Sequence, residues 1–333
     1  MGDNAEVYNS AAIARLRARL DPHDPAIAMA SHNPLAAKLA VQAGFDAIWG
    51  SGFELSAAYA VPDANILSVD KHLDLMRAIG EVQDAPIIAD IDTGYGNAVN
   101  VAFLVPRYAA AGVAAVVIED KTFPKDSSLR PGGRQVLVTV EEFQGKIEAA
   151  RLSGGPLVVA RTEALIAGLG QAEALRRGAA YVEAGADAVL IHSKETTPDE
   201  ILEFCRSWPG QVPLVLVPTA YPQLSFAEVA ALGKVGLIIC ANHAIRAAVA
   251  AMRATFSRIL GEGSIAGVED TIATVAEIFA LQGDERMREL EARAGGAVPS
   301  LNPFVCDGGV QAAGWTAGLG RPANAKRTPS ADR

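Results

Sequence analysis

From Ala26 to Ala241 the sequence repeats one rhythm, a short apolar, β-rich run followed by a stretch with helical spacing. The runs are Ala26–Ala30, Ala47–Gly50, Pro86–Asp92, Ala115–Asp120, Leu157–Arg161, Ala188–His192, Leu214–Pro218 and Leu237–Ala241, eight in all. Helical spacing fills 34–43, 98–111, 140–151, 171–184, 198–208 and 226–232. Several of these stretches close on Ala-Gly, as at Gly44, Gly112 and Gly185, where glycine takes the left-handed conformation that stops a helix. Strands alternating with helices at this spacing imply right-handed βαβ units and a parallel sheet. Eight units over about 220 residues match a (β/α)8 barrel. A doubly wound open sheet fits less well, because no GxGxxG follows the first strand.

Half of the 333 residues are hydrophobic and 20% are charged, enough for one large domain or two ordinary ones. The net charge of −9, with no cluster of lysines and arginines, argues against a nucleic-acid or anionic-membrane surface. Cys205, Cys240 and Cys306 are odd in number and far apart, which fits a reducing compartment and neither a disulfide framework nor a zinc site. The polar, acidic start is no signal peptide, and no apolar run approaches the ~18–20 residues needed to span a bilayer. A cytoplasmic address is expected.

Beyond the eighth run, helical spacing returns at 244–259 and again at Val268–Arg293, with Ile272, Val275, Ile278 and Phe279 on one face. A barrel needs one closing helix, so the surplus one is expected to pack on another subunit and make a homo-oligomer, a dimer or tetramer, by helix exchange. Residues 295–333 hold seven Gly and four Pro, a disorder-like composition in which Phe304, Val305 and Trp315 stand out. The expected organisation is a catalytic barrel over 1–294 and a largely disordered tail over 295–333.

In a barrel the functional side chains sit where strands end. Asp90 and Asp92 lie two apart at such an end, so strand alternation points them the same way. Two unpaired buried carboxylates repel each other and are costly to desolvate, and a divalent cation relieves both problems. A pair of loop-stabilising aspartates is the plainer alternative. The other strand ends supply Trp49–Phe53 (WGSGF), Glu119 with Lys121, Arg161 with Glu163, and His192 with Lys194, while Asp63 follows the second run. Small residues at Ser51 and Gly52 let backbone N–H groups approach an anion. A salt bridge between Arg161 and Glu163 and a core histidine at 192 are the structural alternatives, but ionisable groups at the same end of five strands point to one charged site. The polar segment 122–135 exceeds the usual loop length and is expected to form a lid, with Lys125, Arg130 and Arg134 bringing positive charge over the acidic residues.

Trp49–Gly52, Asp90–Asn97 (DIDTGYGN), Glu119–Lys125 (EDKTFPK), Ala160–Ala164 (ARTEA) and Ala188–Ser193 (AVLIHS), in that order, resemble the isocitrate lyase/phosphoenolpyruvate mutase superfamily. The resemblance runs from about residue 26 to residue 293. Its carbon–carbon lyases carry a cysteine in the gating loop, and Lys125–Leu129 (KDSSL) has none. Its mutases have asparagine where this chain has Ser127, and its phosphonopyruvate-hydrolysing members have a small hydroxyl residue there, usually threonine. The segments 121–130, 142–146, 218–224 and 281–287 also look closest to those hydrolytic members.

The resemblance therefore implies cleavage of the carbon–phosphorus bond of phosphonopyruvate to pyruvate and phosphate, with Mg²⁺, or Mn²⁺ or Co²⁺ in its place. It implies that Asp90 meets the metal directly, that Asp63, Asp92 and Glu119 hold metal-bound waters, and that the metal stabilises an enolate. Trp49, Ser51, Gly52 and Phe53 would bind the substrate carboxylate, and Arg161, His192 and Lys125 its phosphonate. Ser127 would place the attacking water or close the loop, and Asp63 would be a nucleophile or an orienting group. The competing readings are the mutase reaction, hydrolysis or decarboxylation of an α-keto acid such as oxaloacetate, and a non-catalytic dicarboxylate sensor.

Overall fold

Eight parallel strands close on themselves in the computed structural model, which describes residues 2–294. After helix α1 (Gly2–Arg19) and a two-residue strand β1 (Leu20–Asp21), the barrel strands follow in order. They are β2 (Asp24–Ser31), β3 (Ala47–Gly50), β4 (Ile87–Asp90), β5 (Val113–Glu119), β6 (Leu157–Thr162), β7 (Ala188–Ile191), β8 (Leu214–Leu216) and β9 (Val235–Cys240). Each pairs in parallel with its successor, and β9 returns to β2 with Ala26 opposite Leu237 and Met29 opposite Cys240. All eight expected runs form barrel strands. Such strands are covered on both faces, which is why they read as near-continuous apolar runs.

The two faces sort cleanly. Ala28, Ala30, Trp49, Ile88, Ala115, Val117, Val159, Leu190, Val215 and Ile239 share one buried cluster inside the barrel, closed below by Ala12 and Leu16 of α1. Residues of the opposite parity, such as Ile48, Ala89, Val116, Ile118 and Val158, pack outward with helix residues. Burying an aliphatic side chain of this kind is worth roughly 1.5–3 kcal/mol, so the register is strongly specified.

The outer helices are α2 (Pro34–Gln42), α3 (Gly52–Ala58), α4 (Val69–Gly80), α5 (Ala98–Ala110), α6 (Val140–Leu152), α7 (Gly170–Glu183), α8 (Asp199–Ser207), α9 (Phe226–Ala231) and α10 (His243–Glu262). The segment 52–80 holds two helices where periodicity gave none. The single helix expected over Val268–Arg293 is divided instead. A 3-10 turn at Glu269–Thr271 is followed by α11 (Val275–Gln282) and α12 (Asp284–Ala294), separated by Gly283 with φ 84°. Contacts group the chain up to Ile272 as one unit and from Ala273 onward as a second. In the second unit Val275, Phe279, Met287 and Leu290 are exposed. The disordered tail expected over 295–333, Cys306 included, lies outside the described residues. Among the described residues no helix is long and apolar enough to cross a membrane.

Candidate active site

Continuing the inward parity of the core past its last apolar layer reaches Asp90 on β4, Glu119 on β5, Arg161 on β6 and His192 just after β7. The apolar alternation inside the barrel thus delivers four polar side chains to its carboxyl-terminal mouth. There they line a cleft of about 560 Å³ together with Trp49, Ser51, Phe53, Asp63, Lys125, Ser127 and Ser128. Gly52 and Asp92 sit beside it, lining an adjoining recess that Asp63 also borders.

Asp92 does not arrive as a strand residue. β4 ends at Asp90, and Asp92 takes φ 52°, so strand alternation does not orient it. The backbone N–H of Asp92 donates to Asp90 Oδ1 at 3.2 Å, which turns the chain back on the first carboxylate. Lys146, buried on α6, donates to the carbonyl of Thr93 at 3.1 Å and fixes the next residue of the turn. The Lys125 ammonium lies against Asp92 and 3.0 Å from Asp63 Oδ1. Asn65 donates to Asp92 Oδ2 at 2.7 Å. Burial pushes the Asp92 carboxyl up to about 7, with Lys125 opposing and Asp90 and Asp63 adding to the rise. Burial also raises Glu119, against the pull of Lys121 and Arg161. Burial alone would lower Lys125, but Asp92, Asp63, Asp90 and Glu119 hold its ammonium charged far above the ordinary range.

Across the cleft the cations gather. Arg161 Nε meets Glu163 Oε1 at 2.5 Å and Glu119 Oε2 at 3.4 Å, so the arginine both forms the anticipated salt bridge and lines the site. Its Nη2 donates to Ser128 Oγ at 2.9 Å and approaches His192 Nδ1 at 3.2 Å. Ser128 Oγ also accepts from Lys121 Nζ and donates to Glu163 Oε2, each at 2.6 Å. Burial works to raise Glu163, yet Arg161 and Lys121 hold it well below the usual carboxylate range. His192 is lowered by burial. Lys194 stays outside, exposed, with its ammonium on the carbonyl of Ile166.

Asp120 anchors this arrangement from behind. Fully buried, it accepts from Thr162 Oγ1, the Glu163 N–H, Arg177 and the Tyr181 hydroxyl. Standing between Glu119 and Lys121, it ties both to the end of β6 and to α7. The segment 122–135 is tied to the site through Lys125 and Ser128 and also to itself: Asp126 pairs with Arg130 and accepts from Arg134 N–H, and Gln135 donates to the Ser127 carbonyl. Of the three cations expected over the site only Lys125 turns inward. Arg130 and Arg134 are exposed, because Asp126 and the Pro124 carbonyl hold them within the loop.

The Trp49–Phe53 turn starts a helix. Ser51 caps α3, its hydroxyl accepting from Glu54 N–H at 3.1 Å, so free N–H groups of the first turn face the cleft mouth. Glu54 is fully buried between His32 and the Ile245 N–H. His72 on α4 meets the Gly50 carbonyl at 3.1 Å and the Tyr108 hydroxyl at 2.9 Å. The Ser51-x-x-Glu54 spacing is a capping signature legible in the sequence. Asn65, Ser128, Asp120 and His72 act through long-range contacts that no local signal marks.

Among the described residues no three His, Cys, Asp or Glu side chains converge closely enough to hold a metal by themselves. A hard cation held directly by one carboxylate, with others reached through water, does not require such convergence. The donors fit one: all four are carboxylates, with no sulfur or imidazole among them. Buried Glu119 Oε1 has no hydrogen-bond donor.

The family model described as phosphoenolpyruvate phosphomutase matches residues 16–260. The chain is 66% identical over 281 residues to phosphonopyruvate hydrolase of Variovorax sp. (strain Pal2), covering 84% of this chain and 97% of that protein. It is 43% identical over 279 residues to phosphoenolpyruvate phosphomutase of Streptomyces viridochromogenes, covering 83% and 88%. A crystal structure of phosphonopyruvate hydrolase in complex with oxalate and Mg²⁺ superimposes with TM-score 0.80 at 63% identity, covering 84% of this chain and 98% of that one.

Proposed function

The chain belongs to the phosphoenolpyruvate phosphomutase family, and from that premise we propose that it hydrolyses 3-phosphonopyruvate to pyruvate and phosphate. The geometry supports a substrate with two unlike ends, since one cleft is lined by the carboxylates Asp63, Asp90 and Glu119, with Lys125 seated against Asp63, and by Arg161 beside His192. Within the family, the observation that carries hydrolysis over phosphoryl migration is the 66% identity to the hydrolase against 43% to a mutase.

In this reading the first-turn N–H groups of α3, at Gly52 and Phe53, receive the pyruvyl carboxylate, and Trp49 walls the pyruvyl end. Arg161, His192 and Lys125 hold the phosphonate oxygens. The carbon–phosphorus bond breaks with its electron pair moving onto carbon and into the neighbouring carbonyl, and a phosphorus–oxygen bond forms to one water. That carbon then takes a proton, giving pyruvate. Phosphoryl transfer of this loose kind depends mainly on positioning and charge. Ser127 on the loop places the water, and Asp63 orients Lys125. A divalent cation, Mg²⁺ with Mn²⁺ or Co²⁺ as substitutes, would be held by Asp90 directly and by Asp63, Asp92 and Glu119 through water, supplying Lewis-acid stabilisation of the pyruvyl oxygens.

We place this activity in residues 1–294 of a cytoplasmic homo-oligomer, with helix exchange through α11 and α12. The exposed Val275, Phe279, Met287 and Leu290 support that assembly, and light scattering of the whole chain tests it. The reaction is tested by incubating the protein with phosphonopyruvate and Mg²⁺. Phosphate with pyruvate supports hydrolysis, and phosphoenolpyruvate would make the protein a mutase. Turnover of oxaloacetate alone would mean carbon–carbon chemistry, and no turnover of either a binding protein.

A further inference from the structure

Asn65 lies outside every segment that carries the family resemblance, yet it touches two of them. Its Oδ1 accepts the backbone N–H of Lys125 at 2.7 Å, and its Nδ2 donates to Asp92 Oδ2 at 2.7 Å. The backbone N–H of Lys125 can only donate, so the amide oxygen must face it, which leaves Nδ2 to donate to Asp92. Asn65 holds φ 56°, a left-handed conformation that asparagine tolerates better than most residues. Two residues earlier, Asp63 grips the other end of the same lysine, 3.0 Å from its Nζ. One short connection between α3 and α4 therefore holds Lys125 at its backbone and at its tip.

We propose that Asn65 is a positioning residue, a two-ended amide clamp that fixes the root of the 122–135 loop to Asp92 and so sets where the Lys125 ammonium stands. The inference rests on the hydrolytic reading above and adds to it the part that aligns loop and carboxylates. No other short side chain does both jobs. Aspartate keeps the acceptor for Lys125 but loses the donor and repels Asp92. Serine has only one heavy atom for two partners on opposite sides, and alanine has none. Fixing the loop root leaves the lysine side chain strung between two held points, which explains how a long flexible amine can stay buried beside Asp92.

The test compares the full-length protein with Asn65→Ala and Asn65→Asp, using Mg²⁺ and oxalate as the probe. Tryptic cleavage after Lys125 and Arg134 reads the loop, and steady-state phosphate release reads the reaction. Mg²⁺ with oxalate should slow cleavage of the wild-type loop at least tenfold. Asn65→Ala should lose most of that protection and lower kcat by ~10²-fold with KM within about threefold, the scale set by ångström-level misplacement of a reacting group. Asn65→Asp, with half of the clamp, should fall between the two, and it keeps the test usable if the alanine variant does not fold. Protection and kcat at wild-type levels in either folded variant would overturn the clamp. If the wild-type protein releases no phosphate, the functional reading fails by itself, and the cleavage assay still reports on Asn65.

Discussion

Arg161 Nη2 lies 3.2 Å from Nδ1 of His192, so the arginine donates into the ring's lone pair and the ring proton belongs on Nε2. Glu163 Oε1 is also near Nδ1, at 3.4 Å, but Arg161, Lys121 and Ser128 already occupy that carboxylate. Burial lowers the ring's pKa and keeps it neutral, and Nε2 has no protein partner in the cleft. His192→Ala should therefore lower kcat/KM for phosphonopyruvate by ~10²-fold, the loss expected for one transition-state donor. His192→Gln keeps an N–H near the same place and should recover at least tenfold of it. Equal rates for the two variants would show that the Nε2 proton is not used.

The adjacent serines should behave differently. Ser128→Ala leaves Lys121 and Arg161 each short of an acceptor, at a cost of about 1–3 kcal/mol, and should lower the urea midpoint together with activity. Ser127 makes its hydrogen bonds through its backbone, so Ser127→Asn should leave the midpoint alone and move product from pyruvate toward phosphoenolpyruvate. Phosphorus NMR of the product mixture decides this, and an unchanged ratio would remove position 127 from that role.

Metal binding should release protons near neutrality. With the Asp92 carboxyl pushed up to about 7, a good part of the free protein carries a proton there, which a cation must displace. Mg²⁺ affinity should weaken as pH falls through 7. Titration calorimetry at pH 7 should give different apparent enthalpies in PIPES and in Tris. Matching enthalpies would mean that Asp92 is already ionised.

His72 should make stability depend on pH in the opposite sense from Asp92. Burial lowers the folded imidazole pKa below 6.5, against the Gly50 carbonyl, so the unfolded chain takes the proton first. Its contribution is complete above about 6.5 and is lost as pH falls from there toward the depressed folded value. Asp92 is raised, so its contribution shrinks as pH rises from its unfolded value toward about 7. The comparison of wild type with His72→Gln isolates the histidine. The variant should be less stable at pH 7 and should lose less between about pH 6.5 and pH 5. Parallel stability curves would show that His72 does not titrate on unfolding.

The barrel was legible because its strands are buried and several helices end at a left-handed glycine such as Gly44, Gly112 and Gly185, so the local signals agree. The site was legible as far as strand parity carries: Asp90, Glu119, Arg161 and His192 follow from extending the inward face. Parity fails one turn later, where Asp92 leaves the strand in a left-handed conformation. Helices α3 and α4 carry their signals in Ser51 with Glu54, and in Leu73, Met76 and Ile79, but both sit within a single strand-to-strand connection, where the eight-fold rhythm has room for one. The break at Gly283 was likewise written in the sequence but masked by apolar residues on both sides. Ser128 and Asn65 could not be found that way, because their partners lie 35 and 60 residues along the chain.

The internal bonding of the 122–135 loop has a consequence for turnover. Ordering one residue's backbone costs roughly 1–2 kcal/mol, so a slack loop of this length would subtract many kcal/mol from substrate affinity at every closure. Asp126 with Arg130 and Arg134, and Gln135 with Ser127, settle that entropy when the chain folds. The internally bonded part of the loop keeps its shape, with Thr122 N–H on the Val136 carbonyl at its base, and what remains to be made or broken in each turnover is the small set of contacts through Lys125 and Ser128.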